Sequence, residues 1–391
     1  MALLALTPAP LLVTISYSPR KETSVQNLRI PGPTPCPPET LNELSRQMIN
    51  HRGPEFADMQ ARLMERLRLF FRTTNDVYVL TASGTGAMEA AIVNVLSEGD
   101  KVLAVSIGEF GDRFAEIAQA YRANVVRLNF EPGSQADALA IADSLAADPD
   151  IVAVLVTHNE TSTGVTNDLA AISKALRAVK QDVLIIVDAI SSLGCIPFAM
   201  DAWGIDVATT CSQKGFMIPP GLAFVSLSPR AWDAYERSRM PKFYLDLGQY
   251  REYAKKGQPP WTPAVSLYYG LDLALDMMYR EGLEQTNARH HDIAEYTRAR
   301  VRALGMQLLA EGPQASDTVT SIRVPEGIDA AQLLKILNTE YGTVLASGQG
   351  KLTGKIVRIG HMGIVDRRDI DAAVDALGSA LDKLGYRQPV A

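Results

Sequence analysis

The chain has 391 residues, 47% of them apolar and 21% charged, with a formal net charge of −6. This composition is typical of an ordinary globular protein with room for one large domain and a smaller one. The acidic balance argues against nucleic acid or an anionic membrane as the main partner. The three cysteines have neither disulfide nor metal-ligand spacing, which predicts reduced thiols and a cytoplasmic protein.

The N-terminal stretch, residues 1–40, begins with an apolar segment that prolines interrupt, "MALLALTPAPLLVTIS". Its basic residues come after the apolar run, whereas a signal peptide carries them before it. No stretch of the chain approaches the roughly 20 uninterrupted apolar residues of a membrane span. We therefore expect residues 1–40 to form an extension that is either flexible or an arm packed on a partner.

Strand and helix patterns alternate through residues 41–276. A helical pattern runs from about Glu39 to "RLRLFF", and the strands predicted after it are "DVYVLTA", "KVLAVSI", "ANVVRLNF", "IVAVLVTHNE", "DVLIIVDA", "DVATTCS" and "LAFVSLS". Near-continuous apolar runs, rather than strict alternation, indicate strands that are covered on both faces. We therefore predict an α/β large domain in which helices cover both faces of a mainly parallel sheet.

The C-terminal part of the chain, residues 277–391, has a different pattern. A long helical pattern, residues 264–305, leads out of the large domain. The segments "TVTSIRVP", "AAQLLKILNTEYG" and "IVRIGHMG" follow it and read as strand, helix and strand. We predict a smaller α+β domain here.

Unusual residues stand at four of the predicted strand ends, where open α/β sheets bind their ligands. In "TASGTGAMEA", small residues precede a helix, whose N-terminus suits an anion. The other three ends are "THNETSTGV", "LIIVDAISSLG" with Asp188, and "CSQKGFMIPPG" with Lys214. Each of the first three is also consistent with a turn or a helix cap. A buried lysine, in contrast, needs a charged partner or a covalent role.

The combination is more informative than its members. An anion cup, a buried carboxylate and a buried lysine on neighbouring strand ends are the groups that pyridoxal phosphate needs. The lysine binds the aldehyde, the carboxylate keeps the pyridine nitrogen protonated, and the cup holds the phosphate. We therefore expect pyridoxal phosphate as the cofactor.

The motifs also resemble those of a known family, the class V aminotransferases of fold-type I pyridoxal-phosphate enzymes. The likeness is greatest to the alanine–glyoxylate and serine–glyoxylate aminotransferase group. It covers nearly the whole chain, in the family's order and approximate spacing, through "IPGPTPCP", "SGTGAMEAA", "NETSTGV", "VDAISSLG", "SQKGF", "TPAVSLYYGLDLAL" and "RIGHMG". It implies a homodimer that moves an amino group from serine or alanine to glyoxylate or pyruvate by a ping-pong mechanism.

The resemblance assigns roles to individual residues. Lys214 matches the Schiff-base lysine, which also moves the proton between substrate and cofactor, and Asp188 matches the partner of the pyridine nitrogen. The further positions that match cofactor contacts are Thr85, Gly86 and Gln213 at the phosphate, Phe110 at the ring face, where the family commonly has tryptophan, Ser162 near the ring oxygen, and Thr262, which reaches the phosphate of the other subunit. Those that match substrate contacts are Gly32, Ser162 and Arg358.

Arg358 predicts that both substrates carry an α-carboxylate, because a guanidinium binds a carboxylate through two parallel hydrogen bonds. The motifs nearest the cofactor show no second arginine, so dicarboxylic donors should be poorer unless Arg52 or Arg113 enters the pocket. A pyridoxamine–pyruvate transaminase, an aspartate-type aminotransferase and a pyridoxal-phosphate lyase remain alternatives. A cysteine desulfurase is disfavoured, because no cysteine follows Cys211. An inactive accessory protein, such as a hydrogenase-associated one, is disfavoured by the full set of expected active-site residues.

Overall fold

The computed structural model describes residues 26–386. Most of the predicted N-terminal extension therefore lies outside the described residues. The helices are α1 (Pro38–Glu43), α2 (Pro54–Phe71), α3 (Gly84–Val95), α4 (Glu109–Ala120), α5 (Ala138–Ala147), α6 (Leu169–Val179), α7 (Pro229–Arg237), α8 (Leu247–Ala254), α9 (Val265–Glu281), α10 (Leu283–Ala303), α11 (Ala330–Tyr341) and α12 (Arg367–Lys383). The strands are β1 (Asn27–Arg29), β2 (Val77–Ala82), β3 (Lys101–Ser106), β4 (Asn124–Asn129), β5 (Ile151–Thr157), β6 (Asn159–Glu160), β7 (Val165–Thr166), β8 (Leu184–Asp188), β9 (Val207–Cys211), β10 (Gly221–Leu227), β11 (Val319–Arg323), β12 (Thr343–Ser347) and β13 (Ile356–Gly360).

The larger sheet has seven strands in the order β2-β10-β9-β8-β5-β3-β4. Strand β10 is antiparallel to both of its neighbours, and the pairs from β9 to β4 are all parallel. The mainly parallel sheet predicted from the sequence is therefore confirmed. The central strands β8 and β9 are buried along their whole length, as their continuous apolar sequences indicate.

Apolar cores cover both faces of this sheet. Successive residues of β8 point to opposite faces, so that Ile185 joins the core beneath α2 and α9, whereas Ile186 joins the core beneath α3 and α4. Large buried side chains such as Tyr268 and Phe114 fill the two cores. The predicted α/β layering, with helices on both faces, is confirmed.

The smaller sheet has four strands in the order β1-β12-β13-β11 and a separate apolar core. Strand β1 is parallel to β12, with Asn27 opposite Thr343. Part of the N-terminal stretch that the sequence assigns to an extension thus completes this sheet, although the two strands lie near opposite ends of the chain. The limits 41–276 and 277–391 for the two domains stay a prediction.

Both long helical patterns are interrupted. The first, from Glu39 to Phe71, divides into α1 and α2, because Gly53 is extended and Pro54 begins a new helix. The second, residues 264–305, divides into α9 and α10 at Gly282, whose φ of 93° is rarely adopted by a residue with a side chain. None of the helices between residues 26 and 386 has the length and hydropathy to cross a membrane.

Candidate active site

Lys214 lies on the turn that follows strand β9, at the carboxyl edge of the larger sheet. Its Nζ donates a hydrogen bond to the backbone oxygen of Pro31. The hydroxyl of Thr34 donates to the backbone oxygen of Lys214 at 3.1 Å, so the same N-terminal loop holds both ends of the residue. Burial lowers the pKa of the amine, and the nearby Asp188 carboxylate opposes that shift. A lysine with a lowered pKa is suited to act as a nucleophile or a base.

Asp188 is the last residue of β8, which is the neighbour of β9 in the sheet. The residue is 3% exposed, and its Oδ1 accepts a hydrogen bond from the Ile190 N–H at 2.8 Å. Burial raises the pKa of the carboxyl to about 7, and the Ile190 hydrogen bond and the Lys214 charge act against that rise. No residue of the described chain donates a hydrogen bond to Oδ2. The carboxylate and the lysine therefore end adjacent strands, as the sequence predicts.

The turn between β2 and α3 packs on the same strand ends. A Cβ atom added to Gly84 would lie 2.8 Å from Cδ1 of Ile190 and 3.2 Å from Sγ of Cys211. Glycine at this position therefore lets the first turn of α3 pack against these strand ends without displacing the Ile190 and Cys211 side chains. Thr85 and Gly86 stand in this first turn. The hydroxyl and N–H of Thr85 have no hydrogen-bond partner between residues 26 and 386, which leaves them free for an anion.

A buried carboxylate, that of Glu160, organises the start of helix α4. Its Oε2 accepts hydrogen bonds from the N–H groups of Phe110 and Gly111, at 2.9 and 3.1 Å. Its Oε1 accepts the N–H and the hydroxyl of Ser162, at 3.0 and 2.7 Å. The Ser162 oxygen in turn accepts the Glu109 N–H at 3.0 Å. Phe110 and Ser162, two of the expected site residues, are thus held by one side chain that the sequence analysis did not single out.

Arg358 reaches the site from β13 of the smaller sheet. Its Nη1 donates to the backbone oxygen of Thr161 at 2.8 Å, and its Nε donates to that of Ser347 at 2.9 Å. Burial lowers the pKa of the guanidinium to about 10, and the charge of Glu160 opposes this. The group therefore remains a cation at neutral pH, next to the hairpin that carries Ser162.

The two remaining cofactor positions, Gln213 and Thr262, lie on turns. Gln213 is half-buried, and its backbone oxygen accepts the N–H of Thr34 at 3.1 Å. Thr262 is exposed, in the segment between α8 and α9. That segment is anchored near the cup, because the Ala264 N–H donates to the hydroxyl of Thr81 at 3.1 Å. The contact of Thr262 with another subunit stays a prediction.

The expected site residues, apart from Thr262, lie at or beside one edge of the larger sheet. They are Gly32, Thr85, Gly86, Phe110, Ser162, Asp188, Gln213, Lys214 and Arg358. Their individual roles stay predictions. Glu160 was not among the predicted site residues, although this acid stands in "NETSTGV". A carboxylate directly after a buried strand could have indicated a functional residue. Its partners on α4, however, lie about 50 residues earlier, so the neighbouring sequence does not predict them.

A family model described as "Aminotransferase class-V" matches residues 31–371, most of the chain. The chain belongs to the class V aminotransferases. The family predicted from the motifs is therefore confirmed.

Relatives of this class V aminotransferase carry several names. The soluble hydrogenase small subunit of Synechococcus sp. is 46% identical over 92% of this chain and 94% of its own. The L-aspartate–glyoxylate aminotransferase of Paracoccus denitrificans is 42% identical over 87% of each chain. Among solved structures, the alanine–glyoxylate aminotransferase of Nostoc sp. superposes with a TM-score of 0.90 at 30% identity, over 94% of this chain and 98% of that one.

The residues of this class V aminotransferase fit the pyridoxal phosphate that the family implies. The carboxyl of Asp188 is buried with one oxygen free, as a partner for a pyridinium nitrogen requires. The first turn of α3 offers the uncommitted Thr85 to a phosphate. Lys214 lies on the turn after β9, the strand next to the one that Asp188 ends.

Proposed function

We propose that this aminotransferase depends on pyridoxal phosphate and moves an amino group from a small amino acid, serine or alanine, to glyoxylate or pyruvate. The observation that carries the proposal is the arrangement of three groups. Lys214 and Asp188 end adjacent buried strands, and Arg358 comes to the same edge from the other sheet. Lys214 would bind the cofactor covalently, Asp188 would hold the proton of the ring nitrogen, and Arg358 would bind the substrate carboxylate.

Each of these groups has a definite task in the transfer. When bound, pyridoxal phosphate supplies an electron sink that acidifies the hydrogen on the substrate Cα. Nζ of Lys214 takes that proton and returns it on the acceptor side, which its burial and lowered pKa favour. Asp188 holds the proton on the ring nitrogen. Arg358 binds the α-carboxylate and so orients the Cα–H bond toward the lysine.

The proposal includes a homodimer. Phe243 and Tyr244 are 76% and 44% exposed, and both rings stack on Trp261, the neighbour of Thr262. The Tyr244 hydroxyl donates to the backbone oxygen of Thr81, just before the phosphate cup. An exposed aromatic cluster beside the cup is suited to a second copy of the chain, whose residues would then complete the site. Light scattering that finds a single-subunit mass with full activity contradicts this.

Aspartate is a second candidate donor. Arg113, on α4, has its Cζ 4.7 Å from the centroid of the Phe110 ring. Its guanidinium has no hydrogen bond or ion pair with any residue that the structure describes. A half-buried and unpaired cation beside the expected cofactor ring offers a place for a second carboxylate. The relative from Paracoccus denitrificans, whose name gives aspartate as a substrate, supports this candidate.

The hydrogenase subunit among the relatives raises the alternative of an accessory protein without transferase activity. Lys214, Asp188 and Arg358 are all in place in this chain, which favours an active enzyme. A reducing compartment also fits the proposal, because Cys36, Cys195 and Cys211 are all free thiols.

The test is a spectrum followed by covalent trapping. The purified protein mixed with pyridoxal phosphate should show the visible absorbance of a lysine-bound cofactor. Borohydride should make that bond permanent, and peptide mass analysis should place it on Lys214. Lys214→Ala should lose the absorbance, the label and all turnover of alanine with glyoxylate. A label on a different lysine, or a wild-type protein without cofactor absorbance, overturns the proposal.

A further inference from the structure

The Glu160 carboxyl is fully buried, which raises its pKa, and hydrogen bonds rather than an ion pair compensate for that burial. It is 0% exposed, and no lysine or arginine of the described chain forms an ion pair with it. Four hydrogen bonds reach its two oxygens instead, two from the first turn of α4 and two from Ser162. A helix N-terminus stabilises an anion through its free N–H groups and its dipole. The Glu160 side chain is therefore held at the start of α4, the turn that carries Phe110.

The proton of the Ser162 hydroxyl already has an acceptor within the protein. The hydroxyl donates that proton to Oε1 of Glu160 at 2.7 Å. One lone pair of its oxygen accepts the Glu109 N–H at 3.0 Å. A serine hydroxyl has one proton and two lone pairs, so one lone pair is left. Whatever meets Ser162 in the site therefore meets a hydrogen-bond acceptor.

The site is also closely packed at this point. A Cβ atom added to Gly108 would lie 2.7 Å from Cγ of Glu160 and would overlap the hydroxyl of Ser162. Gly108 thus lets the backbone lie directly against the Ser162 and Glu160 side chains. The hydrogen bond to Oε1 sets the direction of the Ser162 hydroxyl proton.

We propose that Glu160 is a positioning residue of the transamination reaction: it fixes Ser162 as an acceptor for an N–H group of the amino substrate and holds Phe110 at the ring face. The inference rests on the proposed function, since it concerns the amino donor of that reaction. A hydroxyl that donates to a carboxylate is the stronger acceptor. Ser162 would accordingly orient the amine of the donor, on the side of the site where Arg358 binds the carboxylate.

The substitution E160Q is expected to change the orientation of the Ser162 hydroxyl while it keeps the position of Phe110. The amide oxygen can still accept the Phe110 and Gly111 N–H groups, so the start of α4 is retained. The amide N–H₂ then faces Ser162: it donates to the hydroxyl oxygen and leaves the Ser162 N–H without the acceptor that Oε1 provided. Both lone pairs of the hydroxyl are now occupied, and its proton turns toward the substrate. The acceptor becomes a donor while the ring contact is kept.

The experiment is a double-mutant cycle with E160Q, S162A and the double variant. The readouts are kcat/KM for alanine with glyoxylate, the Kd of pyridoxal phosphate from protein fluorescence, and the Tm. Each single variant should lose roughly tenfold to a hundredfold in kcat/KM, the size expected for a hydrogen bond between charged and polar groups. The double variant should lose no more than the worse single one. The Kd of E160Q should stay within about threefold of wild type, because Phe110 stays in place.

The matched control is D137N. Asp137 also caps a helix, α5, through a carboxylate that accepts backbone N–H groups, but it is exposed and is not one of the expected site residues. Its amide variant should keep wild-type kcat/KM. If E160Q does not fold, E160D keeps the charge with a shorter reach and completes the same cycle with S162A. Losses that add in the double variant, or an E160Q or E160D variant with wild-type kcat/KM, overturn the proposal. Failure of the proposed function itself appears separately, as a wild-type enzyme without cofactor absorbance or turnover.

Discussion

The amine of Lys214 lies against the backbone of Gly32, where an added Cβ atom would come within 2.5 Å of Nζ. The φ of Gly32 is 119°, a conformation that residues with a side chain rarely adopt. Glycine is thus required here on two counts, by the backbone and by the space that the lysine occupies. The loop expected to border the substrate pocket therefore also sets the position of the lysine.

Gly32→Ala should lower activity by displacing Lys214 as well as by straining the loop. We expect loss of most of the visible cofactor absorbance and a fall in kcat/KM of at least roughly a hundredfold, since small misplacements of a reacting group are costly. The control is Gly327→Ala, at a φ of 83° with nothing within 4 Å of the added carbon. That variant carries backbone strain alone and should keep wild-type absorbance. Equal effects of the two variants would show that the contact with Lys214 is unimportant.

Asp188→Asn should change the pH dependence of stability of the cofactor-free protein. The folded carboxyl keeps its proton up to about pH 7, whereas the unfolded one loses it near 3.8. Between these values the folded state binds more protons, so Asp188 lowers the free energy of unfolding as pH rises through this window. The cost reaches about 4 kcal/mol above pH 7. Asparagine does not ionise, and its oxygen can still accept the Ile190 N–H.

Urea unfolding of the cofactor-free proteins at pH 5 and pH 8 measures this. Asp188→Asn should be more stable than wild type at pH 8, and the difference should shrink at pH 5. The same variant should lose most of its turnover, because the neutral amide cannot hold the ring proton. A wild-type protein that gains stability relative to Asp188→Asn as pH rises would reverse the assigned direction.

Arg358→Lys should weaken the binding of both substrates although the charge is kept. The arginine donates through Nε and Nη1 to two backbone carbonyls, and its remaining N–H groups are available for a carboxylate. A lysine carries its three N–H donors on one nitrogen, and these cannot replace the spread of a guanidinium across two carbonyls and a carboxylate. We expect kcat/KM to fall roughly tenfold to a hundredfold, mainly through KM, since such a bond contributes about 1.5–3 kcal/mol. Arg323→Lys, an exposed change on the adjacent strand β11, should leave KM unaltered. A loss confined to kcat would instead place Arg358 away from the carboxylate.

The sequence predicts the parts of the site that depend on local pattern. Lys214 and Asp188 each follow a short apolar run, and the ends of such runs meet at one edge of a parallel sheet. Their neighbourhood in space could therefore be inferred before the fold was known. The aminotransferase family could also be predicted, because the family's motifs consist of residue types at a given spacing and order, which the sequence shows directly.

The parts that could not be predicted depend on contacts between distant segments. Glu160 acts on the first turn of α4, and nothing near it in sequence shows that partner. Strand β1 pairs with β12 through Asn27 and Thr343, and no local pattern near either residue indicates that pairing. The break between α9 and α10 depends on the positive φ of Gly282, and the helical spacing of apolar residues on either side does not predict that conformation. Packing and hydrogen bonding across the chain, rather than local preference, decide these features.

The choice of amino donor is tested by Arg113. Arg52, the other arginine considered, is already committed, because its guanidinium donates to the backbone oxygens of Pro259 and Pro260 at 2.6 and 3.0 Å. Arg113 has no such partner in the described chain and stacks over Phe110. A distal carboxylate left without a cation in the site would cost several kcal/mol, enough for roughly a hundredfold preference for alanine or serine over aspartate. Arg113 is positioned to reduce that preference.

Arg113→Gln should therefore lower kcat/KM for aspartate by roughly tenfold to a hundredfold and leave that for alanine within about threefold, with glyoxylate as acceptor. The control is Arg127→Gln, an exposed arginine on β4 whose guanidinium pairs with Asp112 at 3.4 Å. That variant removes a charge next to α4 without touching the strand ends, and both donors should keep their wild-type values. An equal loss for both donors in Arg113→Gln would place the guanidinium on the cofactor instead. No loss for either donor, or negligible turnover of aspartate by the wild type, would leave serine and alanine as the donors and exclude Arg113 from the pocket.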